Sequence, residues 1–250
     1  MTETVAILVG ACALLGYLLG SVNFAVLVAR RHGVDILAAG SGNPGATNVK
    51  RVVGKGAGNL VFALDALKGA AGACLPHAVG YLHYLLVRDD PGAAAGPTAL
   101  TLADRLAELL AFPGFLLGDH LFPAGVAGFV GVLLGHCFSC FLGFRGGKGV
   151  ASTIGGLLVL LPVPVLVGAA LWAAVFALTR YVSLASLVLG LSLPASCWLL
   201  PRVAPLDYGP AEFWFAAALA AFNVWTHRAN IARLLAGTEN RFGRTSPDSP

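Results

Sequence analysis

Two stretches of this sequence combine glycines, small polar side chains and cations in the way a backbone needs to hold an anion. The first is Gly40-Ser-Gly-Asn-Pro-Gly-Ala-Thr-Asn-Val-Lys-Arg51. Gly40, Gly42 and Gly45 let the backbone approach a ligand closely and turn N–H groups into a concave nest. Ser41, Asn43, Thr47 and Asn48 add polar groups, and Arg51 can grip a phosphate with two parallel hydrogen bonds. The Gly40, Gly42, Gly45 spacing also fits a dinucleotide-binding fingerprint, with Asp65 at about the right distance beyond it. That fingerprint requires a preceding strand inside a βαβ unit, whereas apolar helical spans flank it here.

The second stretch is Gly135-His-Cys-Phe-Ser-Cys-Phe-Leu-Gly-Phe-Arg-Gly-Gly-Lys-Gly149, which runs straight into apolar sequence. Gly146, Gly147 and Gly149 form a turn that opens a helix, so free N–H groups and the positive end of a helix dipole face an anion, with Arg145 and Lys148 adding full charge. It is not a nucleotide-binding P-loop, because Gly149 follows Lys148 where Ser or Thr belongs. Cys137 and Cys140 have zinc or redox spacing but lack a second ligand pair, and ordinary packing is the expectation.

A third segment, His227-Arg-Ala-Asn-Ile-Ala-Arg-Leu-Leu-Ala-Gly-Thr-Glu239, places His227 and Asn230 on one face of a helix, and taken alone it also suits a basic tail lying on acidic headgroups. Asp65 and Lys68 stand three residues apart inside an apolar run. Such a pair is costly in lipid unless the charges meet, and it reads as a structural salt bridge or as part of a site.

The elements that must carry these residues belong to a membrane protein. The chain has 57% hydrophobic and 11% charged residues, against roughly 25% charged in soluble domains. Long continuous apolar runs select an all-α polytopic helical bundle over a barrel. We expect seven spans: about Val5–Val28, Asn59–Leu86, Leu121–Cys137, a short Ala151–Leu161, Pro164–Leu178, Val182–Leu200 and Glu212–Trp225. Pro162 and Pro164 set the division between the fourth and the fifth. The first run lacks a basic start and a cleavage site, so it is read as a span and not a signal peptide.

With the N-terminus outside and the C-terminus cytoplasmic, twelve of the sixteen Lys and Arg fall inside, as positively charged loops should. Residues 88–118 are expected as an outer-face insertion carrying an amphipathic helix at Thr98–Phe112, and 243–250 as a disordered tail. The net charge of +4 belongs to this topology, and no nucleic-acid partner is expected. Five scattered cysteines imply no disulfide framework.

Together the segments resemble the bacterial acylphosphate-dependent glycerol-3-phosphate acyltransferases, the PlsY family. The resemblance rests on residues 40–51, Leu-Asp-x-Leu-Lys-Gly at 64–69, Gly-His at 135–136 leading to 144–151, Tyr-Val-Ser-Leu-Ala-Ser at 181–186 and the 227–239 segment, all in family order. Ser139 stands where the family usually has Pro, Arg145 where it has Lys, and Ser152 where Thr is common.

The resemblance implies a single acyltransferase domain over 1–242, in a bacterial inner membrane with its active site on the cytoplasmic face. It implies acyl transfer from acyl phosphate to the sn-1 hydroxyl of glycerol 3-phosphate, giving lysophosphatidate and phosphate, with membrane lipids around the protein and no cofactor or metal. Ser41, Arg51, Lys148, His227 and Asn230 would grip glycerol 3-phosphate, and Gly146–Gly149 the acyl phosphate, with Ser183 among the binding residues. His227, His136 and the acyl phosphate's own phosphate are open candidates for the proton acceptor. The chain lacks the His-x-x-x-x-Asp pair of the other large glycerolipid acyltransferase family. A phosphate or organophosphate transporter and a catalytically silent scaffold are the rival readings. Nothing in the sequence fixes an oligomeric state.

Overall fold

A computed structural model describes residues 2–87 and 122–242. Among these, every regular element is helical apart from one isolated bridge between Ser139 and Arg145. The expected insertion at 88–118 and the expected tail at 243–250 lie outside the described residues. Two compact units divide the chain, 1–162 and 163–250.

The first unit contains α1 (Thr2–Ser21), α2 (Phe24–Arg31), α3 (Ala46–Val52), α4 (Lys55–Val87), α5 (Phe122–Cys137) and α6 (Val150–Leu160). The first expected span is therefore two helices. Asn23 breaks it: its side chain accepts from the Val26 N–H at 3.0 Å and caps α2, the local bonding for which asparagine leaves a helix interior. The carbonyls stranded at the end of α1 find a donor in α4, where the Lys68 ammonium reaches Gly20 O at 3.1 Å and Val22 O at 2.8 Å. A cation at a helix C-terminus also suits the dipole.

In lipid, apolar side chains give helices little reason to associate, and close backbone packing takes over. Glycines supply it here. A methyl group on Gly16 would overlap the Gly128 carbonyl, and one on Gly131 or Gly135 would overlap the carbonyls of Ala13 or Tyr17, so α1 and α5 lie backbone against backbone. Gly69 meets Ser152 O and Gly155 meets Ala66 O in the same way, which fixes α6 on α4.

The second unit contains α7 (Pro162–Thr179, of which Pro162 closes the first unit), α8 (Val182–Val203), α9 (Pro210–Thr226) and α10 (Arg228–Leu235). The proline boundary falls where expected: α6 stops at Leu160 and α7 opens on Pro162, at a position where a missing N–H costs nothing. Asn223 of α9 donates to Ser186 O of α8 at 2.9 Å.

Among the described residues, four helical stretches are long and apolar enough to cross a membrane: Ala6–Arg31, Lys55–Val79, Pro162–Thr179 and Val182–Val203. The other three expected spans coincide with α5, α6 and α9, of 16, 11 and 17 residues.

Candidate active site

The first glycine loop is shaped by one buried amide. Asn48 on α3 is 2% exposed. Its Nδ2 donates to Ala39 O at 2.9 Å and Ile36 O at 3.3 Å, and its Oδ1 accepts from the Ser41 N–H at 2.9 Å. Gly40 and Gly42 turn the chain over this staple with φ of +61° and +68°, left-handed values that disfavour other residues. Any side chain at Gly40 would also collide with Asn48 Oδ1. The Ser41 and Arg51 side chains stay exposed at the surface of this fold, and Lys50 ties α3 to α4 through Asn59 Oδ1 at 3.0 Å. The α3 helix lies between the first two expected spans, where the sequence pattern predicts no helix.

The second loop leaves α5 at Cys137 and returns into α6 at Val150. Ser139 anchors it by donating to Ser21 O at 2.6 Å and accepting from the Phe144 N–H at 2.8 Å. Arg145 lies exposed on the outer arm, and Lys148 is half-buried. Gly149, with φ of +78°, is the residue before the first turn of α6. Gly146 and Gly147 lie directly on His136: the Gly147 N–H donates to His136 O at 3.1 Å, and a methyl on Gly147 would overlap His136 Nε2. That same methyl would stand 3.1 Å from Pro44 O of the first loop. The two glycine loops, about a hundred residues apart in sequence, are thus neighbours within the first unit.

Beneath them is a buried ionic cluster. Asp65, Lys68 and His136 are 2%, 3% and 4% exposed. Lys68 Nζ lies 2.9 Å from Asp65 Oδ1, and His136 Nδ1 lies 3.6 Å from the same oxygen, inside ion-pair reach but longer than a hydrogen bond. With the carbonyls of Gly20 and Val22, Asp65 brings the acceptors on the Lys68 ammonium to three.

The second unit gathers the remaining expected residues. His227 sits at the corner between α9 and α10, 2% exposed, with Nδ1 2.9 Å from Asn223 O. A carbonyl only accepts, so Nδ1 carries a hydrogen, and in the neutral form of the ring the lone pair is on Nε2. Asn230 Nδ2 and Ser183 Oγ both donate to Glu239 Oε1, at 2.7 and 2.8 Å, and Arg233 Nε donates to Oε2 at 2.7 Å. Burial alone pushes the Glu239 pKa up, but the hydrogen bonds from Asn230, Ser183 and Arg233, with the Arg233 charge, outweigh it and hold the carboxyl below the ordinary glutamate value.

Glu239 closes the third segment but is not among the expected site residues. The available signal was its isolation, as the lone acid between His227 and Phe242 in a basic segment. Gly42 and Asn43 lie in the first loop, Gly45 is the residue before α3 and Thr47 is in its first turn. Among the described residues, no three His, Cys, Asp or Glu side chains gather to hold a metal.

The first unit offers two adjacent backbone turns, with Arg51, Arg145 and Lys148 on the segments that form or follow them, residue types suited to phosphate groups. The second supplies an oriented imidazole and a braced amide.

Comparison with known proteins bears on this chemistry. A family model described as glycerol-3-phosphate acyltransferase matches residues 10–237. A glycerol-3-phosphate acyltransferase of Jannaschia sp. (strain CCS1) is 38% identical over 247 residues, 98% of each chain. One from Myxococcus xanthus (strain DK1622) is 40% identical over 233 residues, 93% of this chain and 98% of that one. Among solved structures, the glycerol 3-phosphate form of PlsY (YgiH), an integral membrane glycerol 3-phosphate acyltransferase, superposes with a TM-score of 0.69 at 32% identity, covering 94% of this chain and 96% of the other. The lysophosphatidic acid form of PlsY gives 0.67.

Proposed function

The chain belongs to the glycerol-3-phosphate acyltransferase family, and from that premise we propose that its acyl donor is an acyl phosphate and its acceptor the sn-1 hydroxyl of glycerol 3-phosphate. It is an integral membrane acyltransferase of phospholipid synthesis. In this reading residues 1–242 act as one seven-span domain of a bacterial inner membrane, working at the cytoplasmic face where the basic loops lie.

The hydroxyl oxygen bonds to the carbonyl carbon, the carbonyl–phosphate C–O bond breaks, and lysophosphatidate and inorganic phosphate leave. The hydroxyl proton ends on the departing phosphate, passed directly or through Nε2 of His227, the ring nitrogen that the Asn223 contact does not engage. An acyl phosphate is already activated. Orientation and stabilisation of the tetrahedral oxyanion therefore supply much of the acceleration. Ser41, Arg51, Lys148, His227 and Asn230 hold glycerol 3-phosphate, and the 146–149 turn holds the acyl phosphate. Ser183 and Glu239 act on Asn230 through the shared carboxylate.

The observation that supports this reading is the approach of Pro44 to Gly147, which brings close together the two glycine turns that we propose bind the phosphates. One phosphate site would serve a simple binding protein. Two serve a reaction between two phosphorylated substrates.

The test uses purified protein with palmitoyl phosphate and glycerol 3-phosphate. Phosphate and lysophosphatidate should appear in equal amounts, and palmitoyl-CoA should give none. Turnover with palmitoyl-CoA would overturn the donor assignment. Absence of chemistry with either donor, together with glycerol 3-phosphate uptake by proteoliposomes, would replace the enzyme by a transporter.

A further inference from the structure

We propose that His136 is a positioning residue: held by the Asp65–Lys68 pair, its imidazole is the spacer on which the second glycine loop rests, and it sets the gap between that loop and the first. This deepens the acyltransferase reading, because it assigns the separation of the two phosphate-binding turns to one side chain.

The geometry comes from both sides of the ring. On one side, Nδ1 lies 3.6 Å from Asp65 Oδ1, and Asp65 is fixed in turn by Lys68 at 2.9 Å. Lys68 is itself pinned to the end of α1 by Gly20 O and Val22 O and lies 5.4 Å from the centre of the Phe24 ring. The ring is thereby referenced to α1, α2 and α4 at once. On the other side, Nε2 occupies the space where a Gly147 side chain would begin, and the His136 carbonyl takes the Gly147 N–H at 3.1 Å. Gly147 in turn faces Pro44 O.

A stack therefore runs from Lys68 through Asp65, His136 and Gly147 to Pro44. With 4% exposure and Nε2 against backbone, the ring is placed to carry the loop and not to meet a substrate hydroxyl. Two sequence features receive one explanation. A buried ionic pair persists in an apolar helix because it orients the ring, and Gly147 is glycine because the ring fills its side-chain space.

The experiment is a size-compensation series read as kcat and KM for glycerol 3-phosphate, with saturating palmitoyl phosphate. Gly147→Ala should lower kcat/KM by about tenfold or more, since small misplacements of a binding group are costly. Adding His136→Ala makes room for the new methyl, and the double variant should recover several-fold over Gly147→Ala alone. Gly146→Ala should show no such recovery with His136→Ala, because the methyl at 146 would meet the His136 backbone carbonyl, which no side-chain change removes.

His136→Gln alone keeps bulk and polarity, and its kcat should stay within about threefold of the parent while KM rises. A general base replaced by Gln should instead lose about 100-fold in kcat at unchanged KM, and that result would overturn the proposal. So would absence of recovery in the 147/136 double variant, including failure of both variants to accumulate in the membrane. Parent turnover in the same preparation checks the donor assignment separately, since inactivity there strikes that reading while the compensation concerns only ratios between variants.

Discussion

Replacing Asn48 by Ala removes the amide that shapes the first glycine loop without touching the exposed side chains of Ser41 or Arg51. The amide makes two hydrogen bonds of 2.9 Å and one of 3.3 Å, all to loop backbone. At about 1 kcal/mol net for each buried bond, the loss is about 2–3 kcal/mol. It falls on the ordering of residues 36–41, since the helices retain their own packing. Substrate binding must then re-order the loop, so KM for glycerol 3-phosphate should rise by as much as roughly 30–150-fold, with kcat at saturation nearly unchanged. Asn48→Asp should be no better than Ala. It keeps an acceptor for the Ser41 N–H but sets a carboxylate oxygen against the carbonyls of Ile36 and Ala39. Steady-state kinetics on detergent-purified variants separate the two parameters. A fall in kcat at unchanged KM, or full activity of the Asp variant, would refute the argument and place the amide on the substrate.

Two further outcomes follow from buried charge. Lys68→Met leaves Asp65 without its cation in an apolar helix and should destabilise the protein by about 3–5 kcal/mol; Lys68→Met with Asp65→Leu should be milder than the single change in thermal unfolding, because no lone charge remains. Glu239→Ala should cost more activity than Glu239→Gln, which still accepts from Asn230 and Ser183, and the difference should appear in KM for glycerol 3-phosphate. Because the folded Glu239 carboxyl sits below the ordinary value of 4.5, its contribution is complete above about that pH and is lost as pH falls through the folded value. Amide exchange across 238–242, corrected for intrinsic rates, should therefore speed up below about pH 4.5 and stay constant between pH 6 and 8.

Much of the helical layout was legible because lipid imposes long apolar runs and prolines interrupt them. The starts of α5, α6 and α8 and the turn at Pro162 fall within a residue or two of expectation. The break at Val22–Asn23 was not legible. One asparagine in an apolar run is ambiguous, and the donor that makes the break tolerable comes from Lys68, more than forty residues away. The short α3 was hidden for the same kind of reason: seven residues have little helical stability alone, and contacts such as Lys50 to Asn59 hold it in place.

Within the candidate site, the glycine loops and the cations beside them were legible from residue type and spacing. The division of labour could not. Asn48 belongs to the same motif as Ser41 but is bonded entirely to backbone, and Glu239 draws together Ser183 and Asn230 from 56 and 9 residues away. Asp65 and Lys68 were legible as a pair. Their orientation toward His136 required the fold.

The bond that breaks is the point on which the chemistry turns, and isotope labelling reads it directly. Palmitoyl phosphate carrying oxygen-18 in the bridge between carbonyl carbon and phosphorus should, on turnover with glycerol 3-phosphate, deliver all of its label to the released inorganic phosphate, as attack at the carbonyl carbon requires. Label left in free palmitate, with phosphate moved to glycerol 3-phosphate, would mean attack at phosphorus and would contradict acyl transfer from this donor.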